Sequence, residues 1–224
     1  MRIALGVSGG IAAYKTCEIV RGLTRAGCDV QVLMTRNATE FVTPLTLQTL
    51  SGNRVLIETF DLESDETIQH IELTRRIDAL VVAPATANVL AKFAGGVADD
   101  LLSTFFVSVT VPVLIAPAMN TRMWKHESTE ANLAQLRRRG AIIIDPESGW
   151  LAEREVGEGR LADPEKIVEE TLLAARRSHE LKGKKIIVSA QMLAQGFFQH
   201  HLFWVVELRL VHQALDYFRV HVLQ

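Results

Sequence analysis

Short, almost wholly apolar runs recur along the chain at residues 3–7, 30–34, 79–83, 113–116 and 142–144. Each is too short for a helix, and none alternates polar with apolar positions, so the pattern predicts strands covered on both faces. The segments between them repeat apolar residues at helical spacing. Residues 11–26 stop at Gly27, 87–94 at Gly95-Gly96 and 128–139 at Gly140, while 164–178 has an acidic start and an Arg-rich end. Strand and helix in alternation predict right-handed crossovers, and hence an α/β, Rossmann-like doubly wound parallel sheet. The charged segment 179–185 reads as a linker, and no internal repeat is present.

Composition narrows the class. At 224 residues, 48% hydrophobic and 22% charged, the chain carries enough apolar material for one sizeable core and an appendage, which excludes a disordered protein. A formal net charge of -2 gives no basic field for nucleic acid, and Arg137-Arg138-Arg139 reads as a solvated helix end. The start, Arg2 into Ile3-Ala4-Leu5-Gly6-Val7, lacks the long apolar region and cleavage site of a signal peptide, and no apolar run reaches membrane-spanning length. A cytoplasmic protein with a small-molecule partner and no membrane partner is expected. Cys17 and Cys28 have neither metal nor disulfide spacing and are expected to be reduced, buried and structural. His200, His201, His212 and His221 likewise lack ligand spacing, so no metal is expected.

Candidate chemistry gathers where the predicted strands end, at the sheet edge where α/β proteins bind small molecules. Pro117-Ala118-Met119-Asn120-Thr121-Arg122-Met123-Trp124 brings an amide, a thioether and a large aromatic there. Its plainer reading makes Asn120 a helix cap and Met123 and Trp124 core residues. In the first turn, Gly6-Val7-Ser8-Gly9-Gly10-Ile11-Ala12, glycines let the backbone close on an anion, Ser8 adds a hydroxyl and the helix start adds free N–H groups. A turn serving packing alone is the alternative. After the second strand stand Thr35, Arg36 and Asn37 rather than the acid that holds an adenine dinucleotide's ribose, which favours a mononucleotide over NAD. Pro84-Ala85-Thr86-Ala87-Asn88-Val89 combines small residues, which admit a planar ring, with Thr86 and Asn88 for its polar edges; Thr86 could equally be a simple cap. His70 lies in a mixed segment and reads either as a satisfied residue or as a proton-transfer group.

Taken in order, Ser8-Gly9-Gly10-Ile11-Ala12-Ala13-Tyr14-Lys15, His70-Ile71-Glu72-Leu73, Pro84-Ala85-Thr86-Ala87-Asn88 and the segment from Pro117 to Trp124 resemble the flavin-containing cysteine decarboxylases. The resemblance covers roughly the first four-fifths of the chain. It is strongest to members acting on phosphopantothenoylcysteine in coenzyme A biosynthesis. It implies a flavoprotein-type fold and FMN as cofactor. The phosphate would be held by Ser8, Gly9, Gly10 and Thr35, and the ring would lie against Thr86, Ala87, Asn88 and Ala118. His70 would be the base, and Asn120, with Met123 beside it, would bind the substrate and its departing carboxylate. The family's chemistry oxidises the cysteinyl thiol to a thioaldehyde, so that loss of carbon dioxide leaves an enethiolate. A homotrimer, or a dodecamer built of trimers, is also implied. Within the same resemblance stand a peptidyl-cysteine decarboxylase that stops at the enethiol and a flavin-binding regulatory subunit without turnover. A flavin prenyltransferase suits the Asn120 motif less well.

Two departures from the family stand out. The cysteine expected within 149–160 to return a proton is absent, and its position holds Glu153. Glu153 donates that proton if burial raises its pKa; otherwise the product stays an enethiol, or Glu153 is merely a solvated loop residue. The second departure concerns the end of the chain. The resemblance divides it into an FMN-binding decarboxylase domain at 1–178, a linker and ligase-like opening strand at 179–190, and a divergent tail at 191–224. The Gly-Pro-Thr expected after that strand is replaced by Gln191-Met192-Leu193, so ligase activity is not expected.

Overall fold

The computed structural model describes residues 1–59, 69–152, 155–181, 186–190 and 202–206; for 69–72, 177–181 and the last two segments it describes the backbone. Strands β1 (Arg2–Val7), β2 (Asp29–Met34), β3 (Ala79–Ala85), β4 (Val113–Pro117) and β5 (Ile142–Ile143) form one sheet in the order β2-β1-β3-β4-β5. Every pairing is parallel, with Ile3 opposite Val30 on one side and Ala79 on the other. This is the expected α/β, Rossmann-like sheet.

Strand periodicity explains why the runs are apolar throughout. Ile3, Leu5, Val7, Ala79, Val81 and Ala83 face one core, with Ile19, Val20, Leu23 and Ile167. Ala4, Leu80 and Val82 face a second core, with Leu90, Phe93, Phe105 and Leu133. Successive side chains point to opposite faces, and helices cover both, so few strand positions are polar, and the buried Gln31 of β2 is satisfied by donating from Nε2 to Arg54 O at 2.7 Å. Only β5 departs from expectation, since both of its residues are half-buried.

The first predicted helix divides into a 3-10 turn, Ile11–Lys15, and α1 (Thr16–Arg25), ending near Gly27, whose φ is +80°. Next come α2 (Pro44–Ser51), α3 (Gln69–Arg76), α4 (Ala87–Gly95), α5 (Leu101–Ser108), α6 (Thr121–Trp124), α7 (Glu127–Arg138) and α8 (Pro164–Leu181). Helix α2 escapes a periodicity reading because its signals lie at its ends: Thr43 accepts from Thr46 N at 3.3 Å, Pro44 opens it and Gly52 closes it at φ +76°. Helix α8 continues through His179, Glu180 and Leu181, which were expected to be linker; residues 182–185 lie outside the described residues. An antiparallel hairpin, β6 (Glu147–Trp150) with β7 (Val156–Arg160), follows the sheet.

The chain forms two compact units, Met1–Ser178 and His179–Gln224. In the second, β8 (Ile186–Ala190) pairs antiparallel with β9 (Leu202–Val206). Residues 191–201 and 207–224, most of the divergent tail, lie outside the described residues. Cys28 is buried as expected, but Cys17 is only half-buried. Loss of water pushes both thiols' pKa values up, which keeps them protonated and unreactive near neutral pH.

Lys92 ties α4 to α5. Its Nζ lies 2.6 Å from Asp99 Oδ1 and 2.7 Å from Asp100 Oδ2, and Asp100 Oδ1 caps α5 by accepting from Ser103 N at 2.8 Å. Burial pushes the Asp100 carboxyl up, but hydrogen bonds from Lys92 and Ser103 outweigh it and hold the pKa below the usual carboxylate value. Asp100→Ala is expected to cost about 1–2 kcal/mol in urea unfolding at neutral pH, chiefly as a lost cap. Because the folded pKa is the lower one, the ionic part of this stabilisation is complete above about pH 4 and fades as pH falls through the folded pKa. Stability differences between wild type and variant, measured from pH 7 to pH 3, check both parts.

Candidate functional site

Strand order reverses between β1 and β3, and in open α/β sheets ligands bind outside the carboxyl ends of the strands at such a reversal. Loops from β1, β2, β3 and β4 converge there. Ser8 joins two of them. Its N–H and its hydroxyl both donate to Pro84 O, at 3.3 and 2.8 Å, and its Oγ accepts from Thr86 N at 3.0 Å. The buried hydroxyl that the sequence offers as a phosphate donor therefore gives its proton to the backbone and braces the glycine turn against the Thr86 loop.

Gly9 is where this turn meets the one after β2. A Cβ there would lie 2.5 Å from Asn37 Cβ and 2.7 and 2.8 Å from its carbonyl carbon and oxygen, so only glycine permits the approach. Gly10 is extended, at φ -160°, and its Cβ position is 3.4 Å from Thr86 Cγ2. Thr35 N donates to Val7 O at 2.9 Å, which holds Thr35 beside the same turn. Its Oγ1 is buried and has no hydrogen-bond partner among the described residues. Buried hydroxyls are ordinarily satisfied. An orphaned hydroxyl, a glycine cradle and the unpaired N–H groups of a starting helix form a donor set that fits a phosphate.

Beside this turn stand the exit loops of β3 and β4. Ala118 N donates to Ala85 O at 3.1 Å, joining the two exit loops. Thr86 caps α4 by accepting from Val89 N at 3.4 Å, so the simple-cap reading holds for its Oγ1, while Ala87 is half-buried and Asn88 exposed. Small residues at 87 and 118 admit a flat ring close to the backbone. Asn120 is also a cap: its Oδ1 accepts from Arg122 N at 2.8 Å, which fixes the orientation of the amide at the start of α6. Trp124 packs on the second core, but Met123 is 47% exposed and thus not the core residue of the plainer reading.

The β6–β7 hairpin docks on the Asn120 loop, an arrangement absent from the sequence reading. Met119 N donates to Gly159 O at 2.9 Å, and Thr121 Oγ1 donates to Glu158 O at 2.7 Å. Gly159 has φ +122° and a Cβ there would overlap Met119 O; a Cβ at Gly157 would overlap Thr121 Oγ1. The alternating Gly157 and Gly159 were the available signal, since glycine inside a strand often marks a close backbone approach. His70 is the second residue of α3, with only its backbone described, and Glu153 lies outside the described residues. Among the described residues no group of His, Cys, Asp and Glu could hold a metal ion, and no helix is long and apolar enough to cross a membrane.

Comparison with known proteins follows this geometry. The flavoprotein family pattern matches residues 1–176. The coenzyme A biosynthesis bifunctional protein CoaBC of Bacillus subtilis is 44% identical over 190 residues, 84% of this chain and 47% of that protein. The chain thus spans about half the length of that relative. A Cys-to-Ser mutant of PPC decarboxylase, solved with pantothenoylaminoethenethiol, superposes with a TM-score of 0.68 at 33% identity, covering 77% of this chain and 96% of that one. The FMN-dependent cysteine decarboxylase SpaF also gives a TM-score of 0.68, at 28% identity, covering 79% and 97%. The family pattern, the shared sheet and the four ordered motifs agree: this chain belongs to the flavoprotein family, among its flavin-containing cysteine decarboxylases.

Proposed function

We propose that this chain is an FMN-dependent decarboxylase that converts 4'-phospho-N-pantothenoylcysteine to 4'-phosphopantetheine in coenzyme A biosynthesis. The observation that carries the proposal is the set of loops at the β1/β3 reversal, with an orphaned Thr35 hydroxyl for a phosphate and Asn120 in the loop after the neighbouring strand β4. The 44% identity to CoaBC and the likeness to PPC decarboxylase support this choice of substrate.

In this reading the backbone N–H groups of Gly9 and Gly10 and the Thr35 hydroxyl hold the FMN phosphate, with Ser8 fixing the shape of the turn. Ala87 and Ala118 lie under the ring, and Thr86 and Asn88 meet its polar edges. Bound FMN supplies the electron sink without which an unactivated carboxylate does not leave. His70 takes the thiol proton. Asn120, its amide oriented by the cap, donates from Nδ2 to the departing carboxylate, and Met123 packs along the substrate. Glu153 returns the proton that the usual cysteine would give.

The enzyme works in the cytoplasm as a homotrimer, alone or within a dodecamer. Support for assembly comes from Ile11, Tyr14, Phe41 and Leu45, which are exposed apolar residues on the segments flanking the phosphate turn. The second reading, a peptidyl-cysteine decarboxylase, draws on the absence of cysteine from residues 149–160. Carbon dioxide release from phosphopantothenoylcysteine and from a peptide ending in cysteine separates the two. The FMN-loaded protein is expected to prefer the former by at least about a hundredfold in kcat/KM, the scale at which a site built for polar groups rejects ligands lacking them. A preference for the peptide would overturn the proposal.

A further inference from the structure

Both residues flanking Asn120 are fastened to β7. Met119 does so through its backbone and Thr121 through its side chain, whose hydroxyl is 2.7 Å from Glu158 O. The fit is close on both sides: glycine at 159 leaves room for Met119 O, and glycine at 157 leaves room for Thr121 Oγ1. On its other side the Asn120 loop is held to the sheet by Ala118 N donating to Ala85 O. Asn120 thus sits between a fixed floor and a hairpin, and the Thr121 bond to that hairpin depends on a side chain, as does the exposed Lys125–Glu158 ion pair at 3.4 Å.

We infer that Thr121 is a positioning residue, which acts through Asn120 by fastening β7 to the loop that carries it. The inference rests on the decarboxylase reading for its effect on turnover, but the fastening itself does not. A single hydrogen bond of this kind, from a threonine hydroxyl at the start of α6 to a strand carbonyl, adds little stability, about 1 kcal/mol. Its consequence for the reaction is larger, because displacing a substrate-positioning group by about 1 Å can cost on the order of a hundredfold.

The test uses the FMN-loaded full chain with Thr121→Val, Thr121→Ser and Gly157→Ala. Thr121→Val should lower kcat for phosphopantothenoylcysteine about tenfold, with KM changed less than about threefold and FMN affinity unchanged. Thr121→Ser, which keeps the hydroxyl, should retain at least half of the wild-type rate. Gly157→Ala, which crowds the same oxygen, should reproduce the loss and serves in place of Thr121→Val if that variant does not fold. A wild-type rate in folded, flavin-loaded Thr121→Val, or a Thr121→Ser variant as slow as Thr121→Val, overturns the inference. If wild type does not turn the substrate over, the function reading fails, and amide exchange then decides the fastening. Faster exchange at 119–124 and 156–160 together in Thr121→Val, with β1 and β4 unchanged, sustains it; unchanged exchange overturns it.

Discussion

Gly9→Ala is expected to lose FMN affinity by at least about a hundredfold, roughly 3 kcal/mol, while the sheet stays folded. The added methyl has nowhere to go. At 2.5 Å from Asn37 Cβ and 2.7 Å from its carbonyl carbon it meets backbone, which does not rotate away as a flexible side-chain end would. The turn after β1 and the turn after β2 must then separate, and these two turns carry the N–H groups and the Thr35 hydroxyl that would hold the phosphate in the proposed binding mode. Gly10→Ala is the matched control. Gly10 is extended, and its Cβ would sit 3.4 Å from a threonine methyl group, so the N–H groups stay in place and FMN affinity should fall by less than about tenfold. Flavin fluorescence titration of the two variants, with melting temperature as a check on the fold, reads the contrast. Equal losses would mean that the turn does not cradle the phosphate.

The second large effect is expected at Asn120. Asn120→Asp keeps the side-chain oxygen that accepts from Arg122 N, and aspartate caps a helix as well as asparagine does, so α6 and FMN binding should survive. What changes is the group offered to the substrate: a carboxylate replaces the amide's donor end, and two negative charges then face each other. Loss of a preorganised donor costs on the order of 10²–10³ in rate, and charge repulsion adds to it, so turnover of phosphopantothenoylcysteine should fall at least about a thousandfold. A variant that keeps more than about a tenth of wild-type activity would remove Asn120 from the reaction.

Much of the fold was legible in the residues because its physics is local. The parallel strands β1 to β4 are buried on both faces and so read as nearly uninterrupted apolar runs, and Gly27, Gly96 and Gly140 mark the ends of helices by their left-handed φ. Helix α2 and the β6–β7 hairpin were not legible. The first is defined by its caps rather than by an apolar stripe. The second is rich in Gly and Glu, and its fit to the Asn120 loop is a long-range contact whose one local mark is the alternation of Gly157 and Gly159.

At the site, the candidate residues lie on the loops after β1, β2, β3 and β4, and the Ser8 hydroxyl, read as a phosphate donor, donates to Pro84 O and accepts from Thr86 N. The ambiguity between cap and binding residue at Thr86 and Asn120 resolves differently from an either-or choice. Each side chain caps with one oxygen, and the cap holds it at the carboxyl end of the sheet where a ligand-binding residue would also stand. No single-residue reading distinguishes these, because capping and ligand positioning use the same residue types at the same place, the start of a helix after a strand.

The central claim is the conversion of phosphopantothenoylcysteine with FMN, and mass spectrometry of that substrate after incubation with the flavin-loaded chain tests it most directly. The account predicts a product lighter by one carbon dioxide and otherwise unchanged, the saturated 4'-phosphopantetheine formed when Glu153 returns the proton. A product lighter by a further two hydrogens would contradict the role of Glu153 and leave the enethiol as the end point; substrate that stays intact would contradict the decarboxylase assignment itself.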